Sequence, residues 1–350
     1  MNEPFLENAV ERLRKFLQKN NQSGELQLLT PDASTREYFR IAWQSKTAIA
    51  CLYPESFTEK EHSFLDVTRL FLSCGLPVAE IYTFDGELGV IVLEDFGDTI
   101  LCDVLNHSNA KEKETLILKA ISLVAKIQIA TPKAFELDSI ASRLKFDEEK
   151  LLWEMNFFKT HYFETFRKRK LPAESDDALT AEFTELAQEL SIRAKVLCHR
   201  DFHAANLMLD KHNQLHIIDH QDARIGTASY DLVSLLLDRV LEIPAQIWLD
   251  DKKRFFLSER ERAGLEKIDF EDFNYEFQLQ TIQRCLKAIG TFSFQSVNRG
   301  KTYFIKYIVP MFAIVLQTAE NSQRFPNLQR IIKERILQSS MDDFELKFPK

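Results

Sequence analysis

A change of hydrophobic period near Asp98 constrains the 350-residue chain more than any other feature. Before it, short runs with strand character dominate: Leu26 to Leu29, Tyr38 to Trp43, Thr47 to Leu52, Ala79 to Phe84 and Leu88 to Leu93. The last two are joined by Asp85-Gly86, a tight-turn pair that predicts a hairpin. One helix interrupts them, from Glu59 to Ser73, stopped by Gly75 with Pro77 just beyond. After Asp98 the apolar spacing is helical, over Lys111–Ala130, Asp147–Arg167, Ala178–Ala194, Tyr230–Leu241 and Phe273–Thr291. The pattern predicts an α+β chain with a β-rich lobe over residues 1–97 and a larger helical lobe over residues 98–350.

Within the helical part, Leu207–Leu209 and Leu215–Ile218 flank the polar stretch Lys211-His212-Asn213-Gln214 and predict a second hairpin. A four-residue turn centred between His212 and Asn213 pairs Asn206 with Asp219, whose side chains would lie about 5 Å apart, within reach of one cation.

That register gives chemical meaning to His199-Arg200-Asp201-Phe202-His203-Ala204-Ala205-Asn206. Phosphoryl transfer asks a protein for a carboxylate that orients the acceptor hydroxyl and for hard oxygen ligands that hold magnesium on the phosphates. Asp201 fits the first role; Asn206 and Asp219 fit the second. The alternative, turn residues capping backbone amides, accounts for each singly but not for their agreement. His199 reads as a scaffold histidine and His203 reads either way. His212, His216 and His220 alternate around the hairpin with no further ligand to complete a zinc site, so a solvated strand face is expected. Ser229 is placed to cap a helix and Asp231 falls in its first turn. Asp222 can assist metal or substrate, or cap the turn before Gly226.

Upstream, Pro31-Asp32-Ala33-Ser34-Thr35-Arg36 joins two strands without a glycine; Ser34, Thr35 and Arg36 offer hydroxyls and a guanidinium to phosphate oxygens, or form an ordinary polar turn. Leu93-Glu94-Asp95-Phe96-Gly97-Asp98 lies at the change of pattern. The backbone from Glu94 to Phe96 either reads an adenine edge or is an acidic linker. Trp153, Glu154, Phe157 and Phe158 are compatible with an acceptor cage, and equally with a core helix face.

Composition narrows the partners. A formal charge of −8 without a concentrated basic run argues against nucleic acid or an anionic membrane. No unbroken apolar run reaches bilayer length, and the start of the chain lacks a leader-like apolar stretch, which predicts a cytoplasmic protein. Five scattered cysteines without a Cys-x-x-Cys pair predict reduced thiols, and 28 phenylalanines predict core packing. The sequence leaves the oligomeric state open.

Taken together these residues resemble the aminoglycoside phosphotransferase and choline kinase group, within it the bacterial anomeric kinases of N-acetylmuramate and N-acetylglucosamine. The likeness runs from Leu26 to Ile308 through Asp32-Ala33-Ser34, Tyr38-Phe39-Arg40, His199–His203, Ile218–Ala223, Tyr230–Leu236 and Gln283–Lys287 with Gly290. It implies a two-lobed protein-kinase-like fold and an enzyme using ATP and Mg2+ to phosphorylate the C1 hydroxyl of an N-acetylated amino sugar in cell-wall recycling. Asp201 would be the base, Asn206 and Asp219 the metal ligands, and Asp231 a brace for the loop. Two departures stand out. The third strand carries Cys51 and Leu52 where most kinases place a lysine, with Lys46 before it, and Leu237-Asp238-Arg239 replaces the group's Arg-Asp. Other small acceptors, such as an aminoglycoside or choline, and a catalytically silent nucleotide-binding module are the competing readings.

Overall fold

A computed structural model describes the backbone of residues 3–29 and 36–334, with side chains described from Asn8 onward. In chain order the elements begin with α1 (Glu3–Lys19), β1 (Gln27–Leu29), β2 (Glu37–Trp43), β3 (Lys46–Leu52), α2 (Ser63–Ser73), β4 (Ile81–Asp85) and β5 (Val90–Glu94). Helices α3 (Leu101–His107), α4 (Ala110–Ile129), α5 (Thr131–Glu136), α6 (Ile140–Arg143), α7 (Glu148–Phe158) and α8 (Ala173–Arg193) follow. The short strands β6 (Val196–Cys198), β7 (Leu207–Leu209), β8 (Leu215–Ile217) and β9 (Arg224–Gly226) precede α9 (Tyr230–Leu237), α10 (Gln246–Arg262), α11 (Phe270–Asn298), α12 (Ile308–Asn321) and α13 (Pro326–Ile332). The chain divides into two compact units, one of residues 1–113, 132–141 and 204–223, the other of residues 114–131, 142–203 and 224–350.

The first unit is built on an antiparallel sheet of order β1-β2-β3-β5-β4. Strands β3 and β5 are apolar at almost every position because both of their faces are covered. One face presents Phe39, Ile41, Trp43, Ala48, Ala50 and Val92 to Ala9, Leu13, Phe16 and Leu17 of α1. The other presents Cys51, Ile91 and Leu93 to Phe64 and Leu65 of α2. Alternation of period two on a two-faced sheet thus gives nearly continuous apolar strings. The Asp85-Gly86 turn closes as the sequence predicts, with Asp85 opposite Val90. A side chain at Gly86 would place Cβ 2.3 Å from the Phe57 carbonyl oxygen, which itself sits in a segment whose amide donates to Gly86. Ahead of α2 a 3-10 turn covers Glu59–Glu61, so the helix proper begins at Ser63.

The β7–β8 hairpin belongs to this unit, and its register differs from the sequence expectation. Leu207 pairs with Ile217 and Leu209 with Leu215, which places Ile218, rather than Asp219, opposite Asn206. The Ile218 amide donates to the Asn206 carbonyl at 3.1 Å. The cause is the turn: the Asp210 amide donates to the Gln214 carbonyl, leaving a three-residue loop closed by Asn213 in the left-handed region, φ 57°. The Asp210 carboxylate fixes this loop by accepting from the amides of His212 and Gln214 at 2.8 and 2.9 Å.

The second unit is helical around α11, a 29-residue helix against which α7, α9 and α12 pack. Beyond Phe158, α7 widens into a π-helix over Lys159–Phe166. At Gly290 the two helices approach so closely that a Cβ would lie 2.7 Å from the Phe158 Cα. The sequence expectation of Phe273–Thr291 finds the centre of α11 but misses nearly three turns, most of them at its C-terminal end, because its ends carry caps and polar residues: the Asp269 side chain accepts from the amides of Glu271 and Asp272. Two stretches, Ala110–Glu136 and Thr302–Asn321, are long and apolar enough on average to cross a membrane by length and composition, although neither contains a continuous apolar run. Both bury their apolar faces in the fold, among them Ile121, Val124 and Ile127 in the first and Met311, Phe312 and Val315 in the second. None of the five cysteines is in a disulfide; Cys51, Cys198 and Cys285 are buried.

Candidate active site

The segment from His199 to Asn206 is shared between the units, His199–His203 belonging to the second and Ala204–Asn206 to the first.

In the second unit the loop is shaped by Asp231. Its fully buried carboxylate accepts from the His199 amide at 2.6 Å and the Arg200 amide at 3.0 Å. Those bonds hold Arg200 in the left-handed region, φ 84°, which aims the next residue, Asp201, away from strand geometry. Asp231 is therefore more than the helix-start residue its local sequence suggests. Ser229 departs from expectation too: its hydroxyl makes no helix cap and donates, with its amide, to Glu276 at 2.8 and 2.9 Å. Burial pushes the Asp231 carboxyl up to about 6, against the opposing pull of His199 and the two amides.

Asp201 is surrounded by cations. Lys287 donates to its Oδ1 at 2.8 Å, Arg284 approaches the same oxygen at 3.3 Å, and Arg200 Nε lies 3.9 Å from Oδ2. Burial alone would raise the carboxyl; Lys287, Arg200 and Arg284 together hold it well below the ordinary carboxylate range, so Asp201 is ionised at neutral pH. Arg284 is anchored in turn by Asp238 at 2.8 Å and the Ser234 hydroxyl at 3.0 Å. His203 donates its amide to the Asp201 carbonyl, and burial lowers its imidazole to about 4, so it is neutral. His199 is fully buried against Phe202. Of the possible cage residues, Glu154 and Phe158 are core, as the helix-face reading expects, with Gln283 donating to Glu154 at 2.9 Å, while Trp153 is 55% exposed.

In the first unit, Asp219 sits at φ 61°, just past the hairpin, where the strand alternation ends. Its Oδ1 accepts from Arg36 at 3.0 Å and from the Gln221 side chain at 2.9 Å. Arg36 is held by the rings of Tyr38 and Tyr53, each 5.6 Å from its guanidinium carbon, and Tyr38 pairs with Cys51 across β2 and β3. A cation thus reaches Asp219 from the start of β2 although β3 carries no lysine near its end. Lys46 is remote from this arrangement in the sheet: it pairs with Trp43 and points its ammonium at the Tyr82 ring. Ser34 and Thr35 lie outside the described residues. Asp222 is half-buried in the turn closed by the Ala223 amide on the His220 carbonyl.

Glu94 ends β5 with its amide donated to the Glu80 carbonyl at 2.9 Å, so it is sheet rather than an open edge. Phe96 makes no backbone hydrogen bond among the described residues, and its ring stacks on His216 with centroids 3.8 Å apart. Arg40 forks onto Asp95 at 2.8 and 3.1 Å and reaches Asp98, which ties the strand end to β2. His216 and His220 are not on a solvated face. His220 is buried between Phe64 and Phe71 with its Nε2 2.7 Å from the Thr68 hydroxyl, and only His212 is exposed.

No cluster of three histidine, cysteine or carboxylate side chains suited to a metal occurs among the described residues. The oxygen donors Asn206 and Asp219 instead suit magnesium, which keeps water and phosphate ligands and takes one or two groups from a protein.

Sequence reasoning missed Lys287, Arg284, Asp238 and the Arg36 contact to Asp219. The signal available was the Gln283–Lys287 stretch of α11, whose two cations fall one turn apart.

The phosphotransferase enzyme family model matches residues 25–269. A Neisseria meningitidis serogroup B protein named N-acetylmuramate/N-acetylglucosamine kinase is 30% identical over 328 residues, 91% of this chain and 92% of its own length. A Pseudomonas aeruginosa protein of the same name is 29% identical over 302 residues, 85% and 84% of the two chains. Among solved structures, choline kinase LicA from Streptococcus pneumoniae superposes with a TM-score of 0.57 at 13% identity, over 88% of this chain and 98% of that one. ADP-bound aminoglycoside phosphotransferase APH(2'')-Ib gives 0.55 at 13%, over 87% and 98%. The fold is the α+β, protein-kinase-like one that the sequence predicts, and the chain belongs to the phosphotransferase enzyme family, as a small-molecule kinase acting on a hydroxyl acceptor.

Proposed function

We propose that this chain is an ATP- and magnesium-dependent kinase of the C1 hydroxyl of N-acetylmuramate or N-acetylglucosamine, working in the cytoplasm in cell-wall recycling. The observation that carries the chemistry is the ionised Asp201 on a loop whose two preceding amides are both taken by Asp231. The choice of acceptor rests on the relatives named for those two sugars, which span nearly the whole chain.

Asp201 accepts the hydrogen of the acceptor hydroxyl and turns its oxygen lone pair toward the γ-phosphorus. As the new O–P bond forms and the bond to ADP breaks, the hydroxyl proton passes to Asp201 and on to water. A carboxylate held so acidic is a weak base, which suits a loose transfer in which the proton leaves late. Asn206 and Asp219 would hold magnesium, which when bound neutralises charge on the β- and γ-phosphates. Arg36 is the donor fork for the phosphates, with Ser34 and Thr35 beside it in sequence, in place of the strand lysine. The backbone at Phe96, with its groups not engaged in the sheet, is the better candidate for the adenine edge than Glu94. His199, His203 and Asp222 support the loop and the metal side. Residues 1–97 form the nucleotide-binding lobe and residues 98–350 the acceptor lobe.

An ADP-release assay across N-acetylmuramate, N-acetylglucosamine, an aminoglycoside and choline tests the proposal. Turnover of the two sugars with sugar 1-phosphate as product is expected. Tight ATP binding with no turnover of any acceptor would instead identify a silent nucleotide-binding module, and turnover unchanged in Asp201→Asn would refute the assigned mechanism.

A further inference from the structure

We infer that Lys287 is the positioning residue for Asp201, its ammonium fixing one carboxylate oxygen from α11 and so setting how the carboxylate meets the acceptor. This rests on Asp201 being the acceptor-orienting group.

The two cations that meet Asp201 Oδ1 differ in what else they do. Arg284 is tied to Asp238 at 2.8 Å and Ser234 at 3.0 Å, so it would lock α9 to α11 even without Asp201. The Lys287 ammonium has no hydrogen bond or ion pair other than that to Asp201 among the described residues, at 2.8 Å, with its side chain only 13% exposed, and its carbonyl accepts from Thr291 within the helix. Burying an ammonium is costly, and a lysine kept there solely for scaffold would be expected to bond the scaffold. Instead its one strong bond goes to the carboxylate that the reaction uses. The link crosses 86 residues and joins the rigid core helix to a loop residue following a left-handed backbone. Rigid elements that clamp a reacting group are how a fold keeps it within the narrow range that transfer needs.

Electrostatics agree with the geometry. Lys287, Arg284 and Arg200 face Asp201 from α11 and from its own loop; His203, Tyr230 and Asp231 also act on it, while Asp238 and Glu154 act on the cations beside it, and Glu154 also on Tyr230. Burial, Arg284 and Arg200 lower the Lys287 ammonium while Asp201 raises it, so the pair is mutually dependent. Removing the ammonium takes away the largest single attraction that keeps Asp201 ionised, and its carboxyl must rise.

The test compares wild type, Lys287→Met and Lys287→Arg, with Lys287→Gln added if the methionine variant fails to fold. For the methionine variant kcat is expected to fall about 10- to 100-fold with little change in nucleotide KM. The acidic limb of its pH–rate profile should move up by about one unit or more. Arginine should restore both. The Asp201 carboxyl is also followed directly by 13C NMR titration, assigned with Asp201→Asn, which requires no turnover and so separates this inference from the choice of acceptor. An Asp201 titration and an acidic limb that stay at the wild-type position, whatever happens to kcat, would show that Lys287 does not hold the Asp201 carboxylate and overturn the inference.

Discussion

Replacing Gly290 with alanine asks whether the contact of α7 with α11 is as close as it looks. Alanine ordinarily stabilises a helix interior by up to about 1 kcal/mol over glycine. Here the added Cβ would lie 2.7 Å from the Cα, 3.1 Å from the amide nitrogen and 3.2 Å from the Cβ of Phe158, so the atoms that must move are mostly backbone. Relief requires the two helices to part by roughly 1 Å along their contact, and overpacking of that kind costs about 1–3 kcal/mol. A contact of 2.7 Å with backbone belongs in the upper half of that range, about 2–3 kcal/mol, which less a propensity gain of about 1 gives a net loss of about 1–2 kcal/mol. Because Gln283 of α11 donates to the buried Glu154 of α7, parting the helices also strains that bond. Urea unfolding, with the midpoint compared at constant m, measures the effect directly. Trimming the neighbour in a Gly290→Ala/Phe158→Ala double variant should not rescue stability, since the Cα and nitrogen of residue 158 remain. A Gly290→Ala protein as stable as wild type, or more so, would refute the close-approach argument.

Two further predictions concern Asp231. Asp231→Asn keeps the side-chain shape but leaves one amide of the His199-Arg200 pair facing an NH2 group, so kcat should fall at least tenfold with the fold retained, measured by ADP release beside a thermal melt. The same variant should change the pH dependence of stability. The folded-state carboxyl of Asp231, at about 6, lies above its unfolded value, so the folded protein binds the extra proton and stability is lost as pH rises through 6. His62 and His203, each lowered to about 4 by burial, act oppositely: the unfolded chain binds their protons, and stability is lost as pH falls from the unfolded histidine value through 4. Near pH 5, where both operate, the folded Asp231 carboxyl holds about 0.8 proton more than the unfolded one, so removing its contribution should steepen the rise of stability with pH by about 1 kcal/mol per unit. Chemical denaturation at pH 4.5 and 5.5, values chosen as about half a unit either side of that point, reads the slope; an unchanged slope would mean that Asp231 does not take up a proton in the folded state.

How much of this was legible in the sequence depends on whether the deciding contacts are local. The strands of the first unit were, because β3 and β5 are apolar on both faces and the Asp85-Gly86 turn marks its own position. The β7–β8 register was not, since it turns on Asn213 adopting a left-handed backbone and on Asp210 accepting two loop amides, and composition alone fits a four-residue turn as well as a three-residue one. The burial of His216 and His220 is not legible locally because the rings and hydroxyl that cover them, Phe96 in one case and Phe64, Phe71 and Thr68 in the other, are more than 100 residues away in the chain; the nearby Asp210 contact of His216 fits an exposed strand as well. Asp201, Asn206 and Asp219 stood out by residue type and spacing. Arg284 and Lys287, which charge the Asp201 environment, were visible only as two cations one turn apart in the Gln283–Lys287 stretch; that they meet Asp201 across more than 80 residues was not.

The left-handed backbone of Arg200 has a consequence for how such an enzyme can be made more robust. A non-glycine residue in that region costs of order 1 kcal/mol, so Arg200→Gly relieves that strain but removes a cation that helps keep the buried Asp201 ionised, and the two effects oppose each other in the melting temperature. The strained backbone is thus the counterpart of a charge that the loop keeps beside Asp201, and a screen for heat resistance at this position reads the balance of the two rather than the backbone alone.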